Sequence, residues 1–270
     1  MPFLEPLLVF LAFLFLDVFC MAPGVTFGDS GELAAAAANL SVAHAPGYPL
    51  HALLGHLLGS AIPWGGWAYR TNLLTAVLAA ACLGILASAL RLAGFSRTAR
   101  LGAVLFLGLC GLWRHGSSVT EVFGLHLLAL ACVAWVLCRF RGSLWEPRPA
   151  AALGLTMGLG LANHHTLVLA LPAVLWQASR EQPALRKVVT GIGIAALLAC
   201  VGMACYLYLP IRSSVSPPLD WGHTTNLERF MRVLLRKDYG SFELTVEGAA
   251  PVSRWSQIPR YLGFTFKELG

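Results

Sequence analysis

Charge is what this 270-residue sequence has least of. Lys, Arg, Asp and Glu make up 12% of it, against roughly 25% in a soluble domain. Hydrophobic residues make up 57%, which excludes an ordinary soluble domain and makes the chain an integral membrane protein. Paired cysteines are also missing. Cys20, Cys82, Cys110, Cys132, Cys138, Cys200 and Cys205 all lie in apolar runs and none forms a CxxC motif, so they read as small packing residues. There is no P-loop, dinucleotide fingerprint, internal repeat or low-complexity tract. The N-terminus, MPFLEPLLVFLAFLFLDVFCMA, lacks the basic start of a signal peptide, and further apolar runs follow it. It reads as a retained first helix.

What is present is a series of apolar runs, at about 3–21, 72–93, 99–113, 122–138, 150–162, 166–178 and 188–209. A span needs about 20 residues. The stretch 150–178 is too long for one span and short for two, with Asn163-His164-His165 at its centre. A hairpin puts that tripeptide at one surface and the flanking basic loops at the other, as the positive-inside rule favours. Three basic clusters then share the inner side: Arg91, Arg97 and Arg100; Arg139, Arg141 and Arg148; Arg180, Arg186 and Lys187. The net charge of +6 is therefore a topology signal, with no nucleic acid implied. The expected fold is an all-α polytopic bundle of about seven transmembrane helices. The core is 1–210, with a first outer loop at 23–66, and an outer-side segment covers 211–270.

This topology gathers Asp29, Glu32, His44, His51, His56, His115, Glu121, His164, His165, Arg212, Asp220 and His223 on the outer side, with His126 one turn below. All eight histidines lie in the outer half. Connecting loops have no need of this; a reaction centre at the outer surface does. Two outer segments read as interfacial helices. Pro49–Ile62 carries Leu50, Leu53, Leu54, Leu57 and Leu58 on one apolar face. Thr225-Asn-Leu-Glu228 has capping-box form and opens a helix with Leu227, Phe230, Met231, Leu234 and Leu235 on one face. Its basic residues, Arg229, Arg232, Arg236 and Lys237, suit anionic headgroups or, equally, a solvated face.

The stretch TFGDSGELAAAAANLSVAHAPGYP, residues 26–49, holds the candidates for chemistry. Asp29 lies just past the first span. Partial burial raises a carboxylate's pKa and makes it a usable base; the competing role is a helix cap by Asp29 or Ser30. Capping does not account for Glu32 as well. In His44-Ala-Pro-Gly-Tyr-Pro49 the prolines fix φ and Gly47 allows positive φ, so the turn holds His44 and Tyr48 in place. It serves equally as a plain turn between helices. Asn163, His164 and His165 are polar groups at the membrane edge. Adjacent histidines point about 100° apart on a helix, so no metal site is expected. Glu121 and His126 share a face and suit a hydrogen bond. Arg212, at the end of the last span, suits a lipid phosphate or a snorkelling role.

Six segments occur in order: Gly28-Asp-Ser-Gly-Glu32, His44-Ala-Pro-Gly-Tyr-Pro49, Asn163-His-His165, Tyr208-Leu-Pro-Ile-Arg212, Pro218-Leu-Asp-Trp-Gly222 and Arg236-Lys-Asp-Tyr-Gly240. Together they resemble the GT-C-type membrane glycosyltransferase family whose animal member is a protein O-mannosyltransferase acting on receptor IPT domains. The resemblance implies a GT-C-like bundle. It implies a sugar, mannose, moved from a polyprenyl- or dolichyl-phosphate donor to a hydroxyl of an acceptor protein on the lumenal or periplasmic side. It puts Asp29, with Glu32, in the catalytic role. His44, Tyr48, Glu121, His164, His165, Arg212, Arg236 and Lys237 are then the substrate-binding set, with no cofactor beyond the lipid-linked donor. The family continues into further spans, so a chain stopping at Lys267-Glu-Leu-Gly270 reads as a short member or a fragment. The Ala, Leu and Gly excess suggests a bacterial inner membrane, with the ER membrane as the alternative. The rival reading is a transporter or flippase of a lipid-linked sugar, for which Asp17 is the one acid within a run; a non-catalytic scaffold is the third.

Overall fold

The computed structural model describes residues 3–239, together with Trp255, 258–259 and 262–263. Gly240 and most of the expected outer segment after it lie outside the described residues. Every apolar run is helical. The first gives α1 (Leu4–Cys20), and the outer loop after it folds into α2 (Ser30–Asn39) and α3 (Pro49–Ala61). There follow α4 (Trp67–Leu92), α5 (Arg97–Leu109), α6 (Gly111–Ser118), α7 (Phe123–Arg139) and α8 (Pro147–Leu161). A 3-10 segment, His165–Ala170, leads into α9 (Leu171–Ser179). Then come α10 (Leu185–Met203), a 3-10 turn at Ala204–Leu207, α11 (Tyr208–Ser213), α12 (Leu227–Leu234) and a last 3-10 turn at Lys237–Tyr239. Among the described residues the only extended pairing is one isolated parallel bridge, Val42 with Asp220.

By length and composition, two segments cross a membrane: α4, and the run Leu185–Ser213. A third exists if α6 and α7, bent by 115°, count as one span. The helices α1 and α7, at 17 residues, rise about 25 Å, just short of the roughly 30 Å apolar layer. The remaining apolar helices are shorter still. The protein is thus an all-helical membrane protein with seven apolar helical runs, of which two or three are full-length spans. The 150–178 stretch does form a hairpin: Leu153, Met157 and Leu161 of α8 pack with Leu167, Ala170 and Val174, and Asn163 and His164 lie at its tip.

The central helix is α4. Its Ala79, Ala80, Leu83 and Ala87 share a core with Val9 and Phe13 of α1 and Val104 of α5. Its other side packs against α7. Small residues set the second contact: at Gly154 and Gly158 of α8 a side chain would collide with the backbone of Ala195 and Ala199 on α10. Close approach of this kind is how membrane helices gain packing where there is no hydrophobic drive. Two acids pair with residues of the basic clusters. Arg100 forks onto Glu5 at 2.9 Å, and Lys187 reaches Glu146 at 2.6 Å.

At its other end α4 carries the outer loops. Asn72 Nδ2 donates to the carbonyls of Ala22 and Gly24, at 2.8 and 3.0 Å, while its Oδ1 accepts from Thr120. The backbone N–H of Glu121 donates to Thr75. One buried helix end therefore fixes both the segment leading to Asp29 and the segment carrying Glu121.

Two expectations about outer helices change. On α3, only Leu50, Leu54 and Leu58 turn inward, onto Leu74, Leu78 and Leu125; Leu53 and Leu57 are exposed. Gly55 and Gly59 are what bring α3 against Ala37 and Trp67. The cap of α12 is Asn226, one residue later than the Thr225 capping box: its side chain accepts from Arg229 N–H at 2.9 Å. Asn is at least as good a cap as Thr. Phe230, Val233 and Leu234 pack inward against Val42, Tyr208 and Leu209, leaving Leu227 and Leu235 exposed.

Candidate active site

Gly28 takes φ +79°, a turn only glycine adopts freely, and delivers Asp29 to the start of α2. Asp29 stands at the cap position, but its side chain makes no capping bond, and the buried Ser30 hydroxyl has no partner. The capping role is not taken up. The Asp29 side chain is 57% exposed, more open than a desolvated base, and its nearest charged neighbour is His44 Nε2 at 3.7 Å.

Glu32, one turn on, is engaged instead. The His44 backbone N–H donates to it at 2.6 Å and His44 Nδ1 lies 3.1 Å from its other oxygen. Burial works against the Glu32 charge, but the His44 bonds outweigh it, and its pKa falls below the ordinary carboxylate value. In return the Glu32 bond holds the His44 pKa above the usual histidine value, against burial and the Arg236 charge. Glu32 and His44 are a hydrogen-bonded pair in which each favours the charged form of the other.

Tyr48 closes the turn in the left-handed region at φ 40°, a conformation that costs an aromatic residue about 1–2 kcal/mol. Its hydroxyl comes 3.3 Å from His44 Nε2. Burial pushes the Tyr48 pKa up to about 12, so it stays a neutral hydroxyl. The ring of His164 stacks on it with centroids 6.3 Å apart. Burial, with help from His126 and Arg236, drives the His164 pKa down to about 4. Glu121, on the loop held by Thr75, has its pKa raised by burial and then by the Asp29 charge.

The C-terminal part of the chain closes the group. Arg236, also left-handed at φ 53°, acts electrostatically on His44, Tyr48, His164 and His165. Its Nε is buried with no hydrogen-bond partner among the described residues. Tyr239 lies over its guanidinium at 5.6 Å and edge-on to His44 at 6.2 Å. Arg236 thus joins the cluster through Tyr239 and His44, and His44 in turn stands 3.7 Å from Asp29.

Other expected residues lie elsewhere. Arg212 is spent on the end of α2: Nε donates to the Leu40 carbonyl at 2.6 Å and Nη2 reaches Asn39 at 3.4 Å. His165 turns to the Tyr206 hydroxyl at 2.8 Å, and Asn163 donates to Val122. Lys237 is exposed. His126 meets Thr166 at 3.2 Å, and no bond to Glu121 is recorded. Tyr239 was not singled out by sequence, although it sits in a quoted segment; an aromatic within a base-bearing motif was the signal. One atom each from Asp29, Glu32 and His44 lie within 4.8 Å of one another, a spacing that could receive a divalent cation. His44 and Glu32 already bond each other through both Glu32 oxygens, which suits a pair better than a ligand set. Cavities of about 430 and 460 Å³ lie at the opposite, basic-loop end, around Gly142, Arg180 and Glu181, and hold none of these residues.

A family model described as the protein O-mannosyl-transferase TMEM260 N-terminal domain matches residues 29–186. Over 226 residues the chain is 34% identical to the protein O-mannosyl-transferase TMEM260 of Mus musculus, covering 80% of this chain and 32% of that protein. Over 260 residues it is 26% identical to the protein O-mannosyl-transferase tmem260 of Dictyostelium discoideum, covering 89% and 31%. The chain spans about a third of the length of these relatives. No solved structure matches it.

Proposed function

The chain belongs to the TMEM260 protein O-mannosyl-transferase family, and on that premise we propose that it transfers mannose from a polyprenyl-phosphate donor to a protein hydroxyl. Asp29 takes the proton of the acceptor hydroxyl as its oxygen bonds to the anomeric carbon. The bond from that carbon to the phosphate oxygen breaks, and its electron pair leaves with the phosphate. Arg236 stabilises the charge that grows there. His44, held in place by Glu32, and the neutral Tyr48 and His164 shape the space between. The observation that carries this reading is the run of contacts from the open Asp29 carboxylate to His44 at 3.7 Å, from His44 to the Tyr239 ring at 6.2 Å, and from that ring to the Arg236 guanidinium at 5.6 Å.

In this reading Glu32 is a positioning residue, because its oxygens already accept from His44. The phosphate role expected of Arg212 passes to Arg236, and His165 and Lys237 stay at the periphery. The seven helical runs form a GT-C-like bundle with the site on the face away from the basic loops. The relatives are from an animal and an amoeba and lend the bacterial inner membrane no support; the chemistry is the same at a periplasmic or a lumenal face. The transporter reading loses its main feature, since Asp17 is fully buried and ion-paired with Arg114.

The test is transfer from polyprenyl-phosphate mannose to an acceptor peptide by the purified chain in lipid. Wild-type protein should transfer, and Arg236→Met should raise the donor KM and lower kcat. Transport of the lipid-linked sugar across vesicles with no glycosylated product would sink the reading.

A further inference from the structure

The transfer proposed above leaves the basic-loop end of the molecule unused. There the loop between α7 and α8 meets the loop between α9 and α10. Two polar contacts clip them together. Both Glu181 oxygens accept from the Leu144 N–H, at 3.2 and 3.0 Å, and Lys187 reaches Glu146 at 2.6 Å. A third contact is steric: at Gly191 of α10 a side chain would come within 2.9 Å of the Trp145 carbonyl oxygen. Beside the clip lies a cavity of about 460 Å³, bordered by Arg141, Gly142, Trp176, Gln177, Arg180 and Glu181.

The same contacts decide the charge of this cavity. Glu181 is turned to a backbone N–H, and Lys187 and Glu146 neutralise each other. Arg141 and Arg180 have no ion-pair partner among the described residues. The Arg180 guanidinium instead lies over the Trp176 ring, 5.3 Å from its centroid, a contact that uses none of its N–H donors. The buried Gln177 adds an amide to the same wall. Two unpaired arginines, one of them seated on an aromatic ring, suit the oxygens of a phosphate.

The surroundings say how that phosphate arrives. Leu171, Leu175 and Trp176 of α9 are exposed, as are Leu185, Val189 and Ile192 of α10. The first helix ends at this cavity and the second begins there. In a membrane protein such apolar rows face acyl chains, and a tryptophan at the end of one marks the headgroup level. A phosphate with acyl chains attached uses both features, whereas a soluble one uses only the cavity. Basic pockets between membrane helices suit anionic headgroups for this reason.

We propose that this cavity binds the phosphate of an anionic phospholipid at the basic-loop face, between the guanidinium groups of Arg141 and Arg180. The proposal does not depend on the transfer reading.

The experiment is native mass spectrometry of the whole chain in detergent, titrated with phosphatidylglycerol or with phosphatidylcholine of the same acyl chains. Wild-type protein should bind its first phosphatidylglycerol about tenfold more tightly than phosphatidylcholine. Arg141→Gln with Arg180→Gln should bring that preference down to about twofold or less. Arg148→Gln with Arg186→Gln removes the same charge from residues that do not border the cavity. That variant should keep the preference, because charges acting through water are screened. All four arginines are exposed, so neither pair of changes should move the unfolding midpoint. Trp176→Leu should weaken phosphatidylglycerol binding about threefold by unseating Arg180. No preference in the wild type, or equal loss in the two double variants, overturns the site. Displacement of the lipid by millimolar glycerol 3-phosphate overturns the lipid as its ligand and assigns the cavity to a soluble phosphate ester.

Discussion

Two aspartates near the outer end of the first helix have opposite surroundings. Asp17 is fully buried; one oxygen takes both the Arg114 guanidinium and the Ser117 hydroxyl, the latter at 2.8 Å. Asp29 is more than half exposed, and its nearest basic group, His44, stands at 3.7 Å without a hydrogen bond. The first pair locks α1 to α6, and breaking it would strand a charge. The second is open, and Arg236 reaches its neighbourhood only by way of Tyr239 and His44. A closed charge pair serves the fold; in the proposed transfer, an open acid is free to meet a substrate.

Replacing the open acid should have the largest effect. Asp29→Asn should cut mannosyl transfer about 10³-fold while the unfolding midpoint in detergent stays put; undiminished transfer removes Asp29 from the base role. Breaking the closed pair should do the reverse. Asp17→Ala should lower stability by about 3–5 kcal/mol, since Arg114 is left unpaired, and a double change to Asp17→Leu with Arg114→Met should recover most of it. Denaturant or thermal unfolding in detergent reads both, and equal loss from single and double variants would contradict the pairing.

Glu32 sits between these extremes. Glu32→Gln should reduce transfer about tenfold by releasing His44, and it carries a pH signature. The Glu32 pKa is lowered, so its contribution is present above 4.5 and is lost as pH falls through the folded value below that. The His44 pKa is raised, so its contribution is present below 6.5 and is lost as pH rises through the folded value above that. Wild-type stability should therefore hold between these limits and decline on both sides. In Glu32→Gln the alkaline decline should move to lower pH, because the bond that raised His44 is gone. A histidine titration that ignores the substitution would refute the coupling. The smallest effect is expected from Arg212→Met, which removes the bond to the end of α2: a loss of about 1 kcal/mol in stability and no change in donor KM.

The apolar runs were legible because a membrane helix must satisfy its backbone within itself, so each run of sufficient hydrophobicity becomes a helix whatever surrounds it. The hairpin tip at Asn163 and His164 followed from the basic loops on either side. The gathering of Asp29, Glu32, His44 and Tyr48 was legible because all four lie within one short loop. What sequence could not give were pairings across the chain. Arg212 finds the carbonyl of Leu40, Tyr208 finds Ser41, and Asn72 finds the carbonyls of Ala22 and Gly24. Such partners are chosen by tertiary packing, and a snorkelling or phosphate-binding arginine looks the same in one dimension. Of the seven expected spans, two or three are full-length apolar helices. Which runs are broken or short, as α6 and α8 are, depends on the neighbouring helices that cover them.

The parallel bridge between Val42 and Asp220 also sets a schedule. The acid, its glutamate and its histidine are all translated by residue 44, whereas Arg236 and Tyr239 follow about 190 residues later. At ribosomal speeds of about 5–20 residues per second, that is a wait of roughly 10–40 s. Throughout its own insertion the nascent chain carries Asp29 without Arg236, and the cluster becomes whole only when the segment bearing Asp220 folds back onto Val42.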